Sequence, residues 1–208
     1  MIEAYTARTS NGLRCALVLA ESGLRHTIHP IDLGKGDQNT PSFRAMNPAG
    51  QIPVIVDNDV AGGPLTLTEP TAIMLHVAEK SGRLLPKQPA ARSRVFEAVA
   101  NAMTDVYAPF NALFHIEDDF PGKVPAEVIG DFDRRVRATL SLIDAKLAKA
   151  EWLAGEFSIA DIALYPNVWR LESALKRTYP DLKNLQRWRK SVEARPDVQL
   201  GISLKGRP

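Results

Sequence analysis

The hydrophobic pattern of this chain changes character near residue 85, and this change constrains the fold more than any other feature. Before that point short apolar runs alternate with amphipathic helical patterns, whereas beyond it only the helical period persists. The stretch Gly82–Pro89 between the two regions contains two prolines, as expected for a connection between packed domains. We therefore predict a mixed α/β domain over residues 1–84, a linker over 85–91 and an all-α domain over 92–208.

The α/β region predicts one order of elements, which is strand, helix, strand, loop, two strands and helix. The first helix should open at Asn11-Gly12, because apolar residues recur every three to four positions after it, and Ser22-Gly23 should close it. The predicted elements that follow or precede this helix are the strands Ile2–Thr6, His26–Ile31, Pro53–Asp57 and Leu65–Leu67 and the helix Pro70–Ser81. This order is the one that thioredoxin-like domains use.

Long helical patterns dominate the second region. Ser93–Phe114 forms one pattern that Pro109 should bend, and Pro125–Lys149 forms another. A further helix should begin at Ser158, because a serine followed three residues later by Asp161 is the signature of a capped helix start. These signals predict a domain built from helices alone.

Charge, cysteine content and hydropathy narrow the class of partner. The chain has 26 Lys and Arg against 24 Asp and Glu, so its net charge of +2 creates no field that favours nucleic acid or an acidic membrane surface. No apolar run reaches the roughly 18 residues that span a bilayer, and the N-terminus lacks the segments of a secretion signal. The single cysteine, Cys15, excludes an intrachain disulfide and should be a buried structural thiol. We expect a cytoplasmic protein with a small-molecule ligand and no metal, nucleic-acid or membrane partner.

The sequence Thr9-Ser10-Asn11-Gly12 places several hydrogen-bond donors at the start of the first helix. Two hydroxyls, a side-chain amide and the unpaired backbone N–H groups of a helix N-terminus all favour an anion. The residues alone also permit a simple cap, in which Thr9 or Ser10 accepts a bond from the backbone. An anion site and a structural cap therefore both stay open at this point.

Segments from both predicted domains resemble the glutathione transferases. Asn47–Val54 and Leu67–Ile73 are similar to the two loops with which that family holds the glutathione peptide, and Phe157–Pro166 is similar to the helix-capping motif of its C-terminal domain. Thr9–Gly12 and Asp32–Gln38 resemble a bacterial subgroup that acts on glutathione disulfide. The resemblance implies a thioredoxin-like N-terminal domain, an all-α C-terminal domain and a homodimer.

The resemblance also implies a role for each part of a glutathione site. Thr9 and Asn11, with Ser10 between them, would stabilise the sulfur as a thiolate, whose pKa must fall about two units below the ~8.5 of a free thiol. The backbone of Ile52, beside a cis Pro53, would pair with the cysteinyl unit. The remaining contacts that it implies are Gln38 and Gln51 to the glycyl end and Glu69 and Thr71 to the γ-glutamyl end.

Pro70 departs from the family pattern, because it stands where the relatives carry a serine. Proline offers neither the hydroxyl nor the backbone N–H that would bind the γ-glutamyl carboxylate, and the nominal loss is about 3–6 kcal/mol for two charge-assisted bonds. Thr71, one residue later, carries both kinds of donor. Proline is also favoured at a first helical position, so the residue alone permits a purely structural role.

The activity that the resemblance implies is glutathione-dependent catalysis, either conjugation of the thiolate to an electrophile, as in detoxification, or thiol–disulfide exchange. The Thr-x-Asn-Gly and Gly-Lys-Gly-x-Gln sequences favour disulfide chemistry, which needs no protein cysteine when two glutathione molecules share the site. Two alternatives stay open. One is a non-catalytic binding protein in which Pro70 marks an impaired glutathione site, and the other is catalysis on a different thiol or acid substrate.

Overall fold

The computed structural model describes residues 1–207 and divides into two compact units. The first unit combines Met1–Leu85 with the segment from Glu193 onward, and the second unit is Pro86–Val192. The first unit contains a sheet covered by helices. The elements described in the second unit are all helices. The predicted combination of a thioredoxin-like α/β domain and an all-α domain is confirmed.

Within residues 1–207 the named strands form one mixed, four-stranded sheet. They are β1 (Ile2–Thr6), β2 (His26–Pro30), β3 (Val54–Asp57) and β4 (Leu65–Leu67), in the spatial order β2-β1-β3-β4. β1 and β2 are parallel, whereas β3 is antiparallel to both β1 and β4. Alternate residues of β1 are buried, as expected for a strand with one fully covered face.

The helices, in chain order from α1 to α9, are Ser10–Ser22, Pro41–Met46, Pro70–Ser81, Pro89–Asn101, Ala108–Asp119, Ala126–Leu147, Ile159–Ser173, Lys183–Glu193 and Pro196–Ile202. The sequence analysis treated α2 as loop, because six residues are too few for a periodic pattern to be recognised. Its signals are nevertheless present, since Thr40 accepts a bond from the backbone N–H of Phe43 and Pro41 occupies the first turn. Within residues 1–207 no helix combines the length and the apolar composition that a membrane crossing requires.

α1 begins at a side-chain cap and ends at a left-handed glycine. The hydroxyl oxygen of Thr9 accepts a bond of 3.1 Å from the backbone N–H of Gly12, so the helix starts at Ser10. Gly23 follows the last turn with a φ of +75°, a conformation that glycine adopts without strain. Between these ends α1 is almost entirely buried and packs against α3 and α9. The predicted helix is therefore present, one residue longer at its start.

α9 lies against α1 within the first unit. Gly201 permits the close approach, because a β-carbon at this position would lie 3.0 Å from the carbonyl oxygen of Ala16 and from Leu17. The guanidinium of Arg195 donates two hydrogen bonds of 2.7 Å to the buried carboxylate of Glu21 near the end of α1. The chain segment after the helical unit is thus fastened to the first helix of the chain.

The contacts of this last segment differ from the domain division drawn from the sequence. That division, with 1–84 as the α/β domain, 85–91 as the linker and 92–208 as the all-α domain, stays a prediction. The structure groups the segment from Glu193 onward with Met1–Leu85. The sequence analysis expected only helices in this part of the chain, and a hydrophobic pattern carries no information about which unit a helix packs on.

α4 and α5 are joined by an irregular helical turn. The sequence analysis expected Pro109 to bend one long helix, and the structure has a π-helical segment, Ala102–Tyr107, ending two residues before that proline. The fully buried Asn167 of α7 donates its side-chain amide to the carbonyl oxygen of Ala102 at 3.0 Å. This buried carbonyl therefore has a hydrogen-bond partner inside the second unit.

The predicted start of α7 is confirmed. The hydroxyl oxygen of Ser158 accepts from the N–H of Ala160 at 3.3 Å, and the carboxylate of Asp161 accepts from the N–H of Ser158 at 3.0 Å. The indole N–H of the buried Trp188 donates to the same carboxylate at 2.8 Å. Burial raises the pKa of Asp161 to about 6, although these hydrogen bonds oppose the increase.

Candidate active site

Strand register brings four connecting segments together at one edge of the sheet, the edge formed by the ends of its strands. Tyr5 lies opposite Val54, and Ile55 lies opposite Leu67, so β3 begins at the edge where β1 and β4 end. The parallel pairing of β1 with β2 places the end of β2 at this same edge. The segments that meet there therefore follow β1, β2 and β4 and precede β3. We call this edge the converging edge.

Every candidate residue from the sequence analysis lies in one of these four segments. The residues that follow β1 are Thr9, Ser10 and Asn11, the one that follows β2 is Gln38, those that precede β3 are Gln51, Ile52 and Pro53, and those that follow β4 are Glu69 and Thr71. These positions are separated by as many as 62 residues along the chain, from 9 to 71. The sheet topology nevertheless places their segments at the same edge. The assignment of each as a ligand contact stays a prediction.

Thr9 caps α1 and retains a donor. Its oxygen is the acceptor for the N–H of Gly12, which leaves the hydroxyl hydrogen available for a second partner. The side chain is half-buried, and Ser10 beside it is 5% exposed. The sequence left two interpretations open, a cap and an anion donor. One hydroxyl can be both, because its oxygen caps the helix while its hydrogen can be donated to an anion.

Asn11 lies in the first turn of α1 and is held by a buried arginine. The guanidinium of Arg14 donates from Nη1 to Oδ1 of Asn11 at 2.6 Å. The Arg14 side chain has 0% exposure, whereas Asn11 is half-buried. The sequence analysis missed Arg14, although an arginine three residues after an asparagine on a helix is a recognisable signal for such a contact.

The segment before β3 is braced by Asn47. Its amide donates to the carbonyl oxygen of Gln51 at 2.7 Å, and its own oxygen accepts from the N–H of Ala49 at 3.2 Å. The Ile52-Pro53 peptide bond is cis, as the resemblance implied. Ile52 is half-buried, whereas the Gln51 side chain is exposed.

The segment after β2 contributes Gln38 in a single 3-10 turn, Asp37–Asn39. The side-chain oxygen of Gln38 is buried and has no partner among residues 1–207, so it can accept a bond from a ligand. Arg44 links this segment to the one before β3, because it donates to Oδ1 of Asn39 at 2.8 Å and to the carbonyl oxygen of Pro48 at 2.6 Å. The sequence analysis missed Arg44, and no local pattern indicates its role.

The segment after β4 leads into α3 through a strained residue. Glu69 has φ of +66° and ψ of 114°, outside the regions that non-glycine residues usually occupy, and its side chain is exposed. Pro70 follows at the first helical position and is buried. The first bond of α3 joins the N–H of Ile73 to the carbonyl of Glu69 at 3.0 Å. The N–H groups of Thr71 and Ala72 precede this bond, so helix geometry provides them with no acceptor.

Cys15 is excluded from the chemistry of this edge. Its side chain is fully buried, and burial raises the pKa of its thiol to about 12. A thiol in this environment is neither ionised nor accessible at neutral pH. In the part of the chain that the structure describes, no group of three or more His, Cys, Asp or Glu side chains is arranged to hold a metal ion.

Family models match both parts of the chain. The model described as glutathione S-transferase, N-terminal domain matches residues 10–80, and the model described as glutathione S-transferase, C-terminal domain matches residues 89–191. The first match includes all four segments of the converging edge, except the residues before Ser10 in the segment that follows β1.

One named relative and two solved structures resemble the chain along most of its length. The disulfide-bond oxidoreductase YfcG of Escherichia coli K12 is 32% identical over 94% of this chain and 92% of its own length. A glutathione transferase from Pseudomonas putida, with one glutathione disulfide bound per subunit, has a TM-score of 0.90 and 29% identity, and the match covers 99% of this chain and 92% of that one. A glutathione transferase from Burkholderia graminis, with two glutathione molecules bound per subunit, has a TM-score of 0.90 and 30% identity, with coverage of 97% and 87%.

Proposed function

Since the chain belongs to the glutathione S-transferase family, we propose that it is a glutathione-dependent enzyme whose main reaction is thiol–disulfide exchange. The observation that carries this proposal is the position of Thr9 and Asn11 in the first turn of α1, on the converging edge. The name of YfcG as a disulfide-bond oxidoreductase and the glutathione disulfide in the Pseudomonas putida transferase support disulfide chemistry over other reactions of the family.

The first task of the site is to ionise the glutathione thiol. A free thiol has a pKa of about 8.5, and reaction near pH 7 requires a value about two units lower, or ~2.7 kcal/mol of differential stabilisation. The hydroxyl of Thr9, the amide of Asn11 and the N-terminus of α1 are donors of the kind that stabilise such an anion. Ser10 is the third candidate in this turn, but it is the most buried of the three.

The second task is to hold the peptide so that the sulfur reaches this turn. The backbone of Ile52 pairs with the cysteinyl unit in the manner of an added strand. Gln38 and Gln51 contact the glycyl end, where the unpartnered side-chain oxygen of Gln38 can accept a hydrogen bond from the glycyl N–H. Glu69 attracts the α-ammonium group, while Thr71 supplies a hydroxyl and a backbone N–H to the γ-glutamyl carboxylate in place of Pro70.

The reaction needs two glutathione molecules because the protein thiol is inaccessible. The bound thiolate attacks the glutathione sulfur of a mixed disulfide, the S–S bond breaks, and the departing thiolate takes a proton from water. One glutathione disulfide and one free thiol result, so atoms and electrons balance. Relatives with one glutathione disulfide or two glutathione molecules per subunit support a site of this capacity.

Conjugation to a small electrophile, a detoxification reaction, is the second candidate, and it requires the same thiolate. The two similar structures are those of glutathione transferases, which favours it. No feature of residues 1–207 favours the non-catalytic alternative, because the strained Glu69, the Thr9 donor and the convergence of segments are all retained. We also propose that the enzyme is a cytoplasmic homodimer, as expected from the family, which light scattering after size-exclusion chromatography would test.

The proposal is tested by calorimetric titration of the protein with reduced glutathione and, separately, with glutathione disulfide. We expect dissociation constants between micromolar and low millimolar, with tighter binding of the disulfide. Glutathione-dependent reduction of bis(hydroxyethyl) disulfide should then exceed conjugation of chlorodinitrobenzene. Absence of detectable binding of either ligand at several millimolar would overturn the proposal.

A further inference from the structure

We propose that Arg14 is a positioning residue for the thiolate site, which it serves by fixing the side-chain amide of Asn11 and by placing a positive charge behind it. This inference rests on the proposed function for its catalytic consequence. Its structural part, the orientation of Asn11, stands on the geometry of α1 alone. Arg14 acts through Asn11 and is not itself a contact of the ligand.

The burial of Arg14 requires a reason. Its guanidinium has 0% exposure, and transferring a charge from water into a protein interior is costly unless hydrogen bonds compensate. The bond of 2.6 Å to Oδ1 of Asn11 is short, as expected when the donor is charged. A buried cation in the turn that forms the proposed anion site is therefore tied directly to one of the residues of that site.

The contact determines which end of the Asn11 amide faces Arg14. Oxygen and nitrogen of an asparagine side chain are usually assigned from their partners, and a guanidinium has only donors, so the atom that faces Arg14 must be the oxygen. The NH2 end is thereby turned away from Arg14. An anion at the start of α1 then meets a donor rather than a carbonyl oxygen, which would repel it.

The positive charge of Arg14 has a second effect, in addition to orienting the Asn11 amide. An arginine side chain is positively charged, and its bond to the carbonyl oxygen withdraws electron density from the amide. A hydrogen bond that the amide donates to a thiolate is strengthened in such a chain of bonds. The N-terminus of α1 acts in the same direction, so dipole and side-chain charge reinforce each other.

The decisive experiment measures the pKa of bound glutathione through the ultraviolet absorbance of its thiolate, in the wild type and in Arg14→Met, Arg14→Lys and Arg14→Gln. We expect Arg14→Met to raise this pKa by about one unit, which is a tenfold fall in the ionisation constant of the thiol. Arg14→Lys should recover part of the loss, since it keeps the charge without the planar fork. Affinity for S-methylglutathione, whose sulfur cannot ionise, should change less than twofold in each variant.

Glu21→Gln is the matched control, because Glu21 is a buried charged residue of α1 at the opposite end of the helix, paired with Arg195. It should lower stability and leave the thiol pKa unchanged. The inference is overturned if Arg14→Met leaves the pKa of bound glutathione unaltered, or if S-methylglutathione binding falls as much as glutathione binding. Should Arg14→Met not fold, the same comparison is made with Arg14→Gln and Arg14→Lys.

A second measurement separates this inference from the proposed function. A wild-type protein that binds no glutathione, or binds it without forming a thiolate, would refute the proposed function and with it the catalytic role of Arg14. The positioning role is then decided by neutron crystal structures, which distinguish the amide oxygen from the NH2 group, of the ligand-free wild type and the Arg14→Met variant. We expect Asn11 to take one amide orientation in the first and to turn or split in the second. One unchanged orientation in both would overturn the positioning role as well.

Discussion

A β-carbon on Gly12 would stand 1.9 Å from the carbonyl oxygen of Ala7. No side chain fits this gap, because the obstacle is backbone and cannot swing away. The contact fixes the distance between the end of β1 and the first turn of α1, where Thr9 and Asn11 lie.

Replacing Gly12 with alanine should therefore disturb the proposed site and the fold together. We expect Gly12→Ala to lower the free energy of unfolding by about 3 kcal/mol or more, measured by urea denaturation, because an overpacked position must displace backbone. Gly130→Ala is the control, since Gly130 lies in α6 with its nearest obstacle 3.6 Å away. Alanine there should be neutral or stabilising by up to about 1 kcal/mol. Equal behaviour of the two variants would contradict the importance of the Gly12 contact.

Thr9 is expected to act both as cap and as thiolate donor. Thr9→Val removes both functions, whereas Thr9→Ser keeps both, so the pair isolates the hydroxyl. We expect Thr9→Val to lose about 1 kcal/mol of stability and about a hundredfold in kcat/KM, measured with glutathione and a disulfide substrate. Gln88→Ala, which removes the cap of α4, should cost stability without reducing kcat/KM. A Thr9→Val enzyme of normal kcat/KM would exclude Thr9 from the chemistry.

Thr71 should replace the donors that Pro70 lacks. Thr71→Val removes a hydroxyl from a charged partner, so calorimetry should show glutathione binding at least tenfold weaker. Pro70→Ser alone should change the affinity little, but combined with Thr71→Val it should restore binding. A hundredfold gain from Pro70→Ser alone would instead mean that Thr71 does not compensate.

Turnover should be independent of Cys15. The Cys15→Ala variant leaves a small cavity and should lose about 1 kcal/mol of stability, while kcat for disulfide reduction stays within twofold of the wild type. The comparison is made at saturating glutathione in both proteins. A large fall in kcat in a folded variant would show that a protein thiol takes part, against the two-glutathione reaction.

The stability of the first unit should depend on pH through Asp57. Burial alone would raise the pKa of this carboxyl, but hydrogen bonds from Lys80 and His76 hold it below its usual 3.8. A lowered folded-state pKa contributes stability that is present above about pH 4 and is lost as pH falls through the folded value. Urea denaturation between about pH 2.5 and pH 7 should show this loss in the wild type and a weaker one in Asp57→Asn.

At pH 7 the Asp57→Asn variant should be less stable by about 3 kcal/mol, because it removes a buried carboxylate and leaves the half-buried donors of Lys80 and His76 poorly paired. Asp131→Asn is the matched control: Asp131 also pairs with arginines, Arg134 and Arg135, but on an exposed helix surface. Its stability should stay close to that of the wild type at every pH in this range, because exposed ion pairs contribute little. Identical pH profiles for the wild type and Asp57→Asn would contradict the role of the buried carboxylate.

Local signals were sufficient for much of the fold. Ser158 and Asp161 predicted a helix start from four residues of sequence, and alternation of apolar residues located the strands, because both signals arise within a few positions of the chain. The cap at Thr9 was likewise indicated by its own position before Asn11-Gly12. Periodicity did not predict the strand order. That order places the segments with the candidate residues at one edge of the sheet.

The parts of the site that escaped prediction depend on contacts rather than patterns. The spacing of Asn11 and Arg14 indicates a contact, but the burial of Arg14 is a property of the packed helix that its residue type does not indicate. Arg44 joins Asn39 to Pro48, two loop residues with no signal of proximity. The packing of Gly201 on α1 connects residues nearly two hundred positions apart, beyond the reach of any window of sequence.

That last contact has a consequence for how the protein is made. The ribosome releases α1 early and α9 late, after the whole of Pro86–Val192 has been synthesised. Until Pro196–Ile202 emerges, the surface of α1 that Gly201 will cover has no native neighbour. The unit that holds the proposed site is therefore completed only after Pro86–Val192 has been synthesised, and a nascent chain stalled before this helix exposes an apolar face to chaperones.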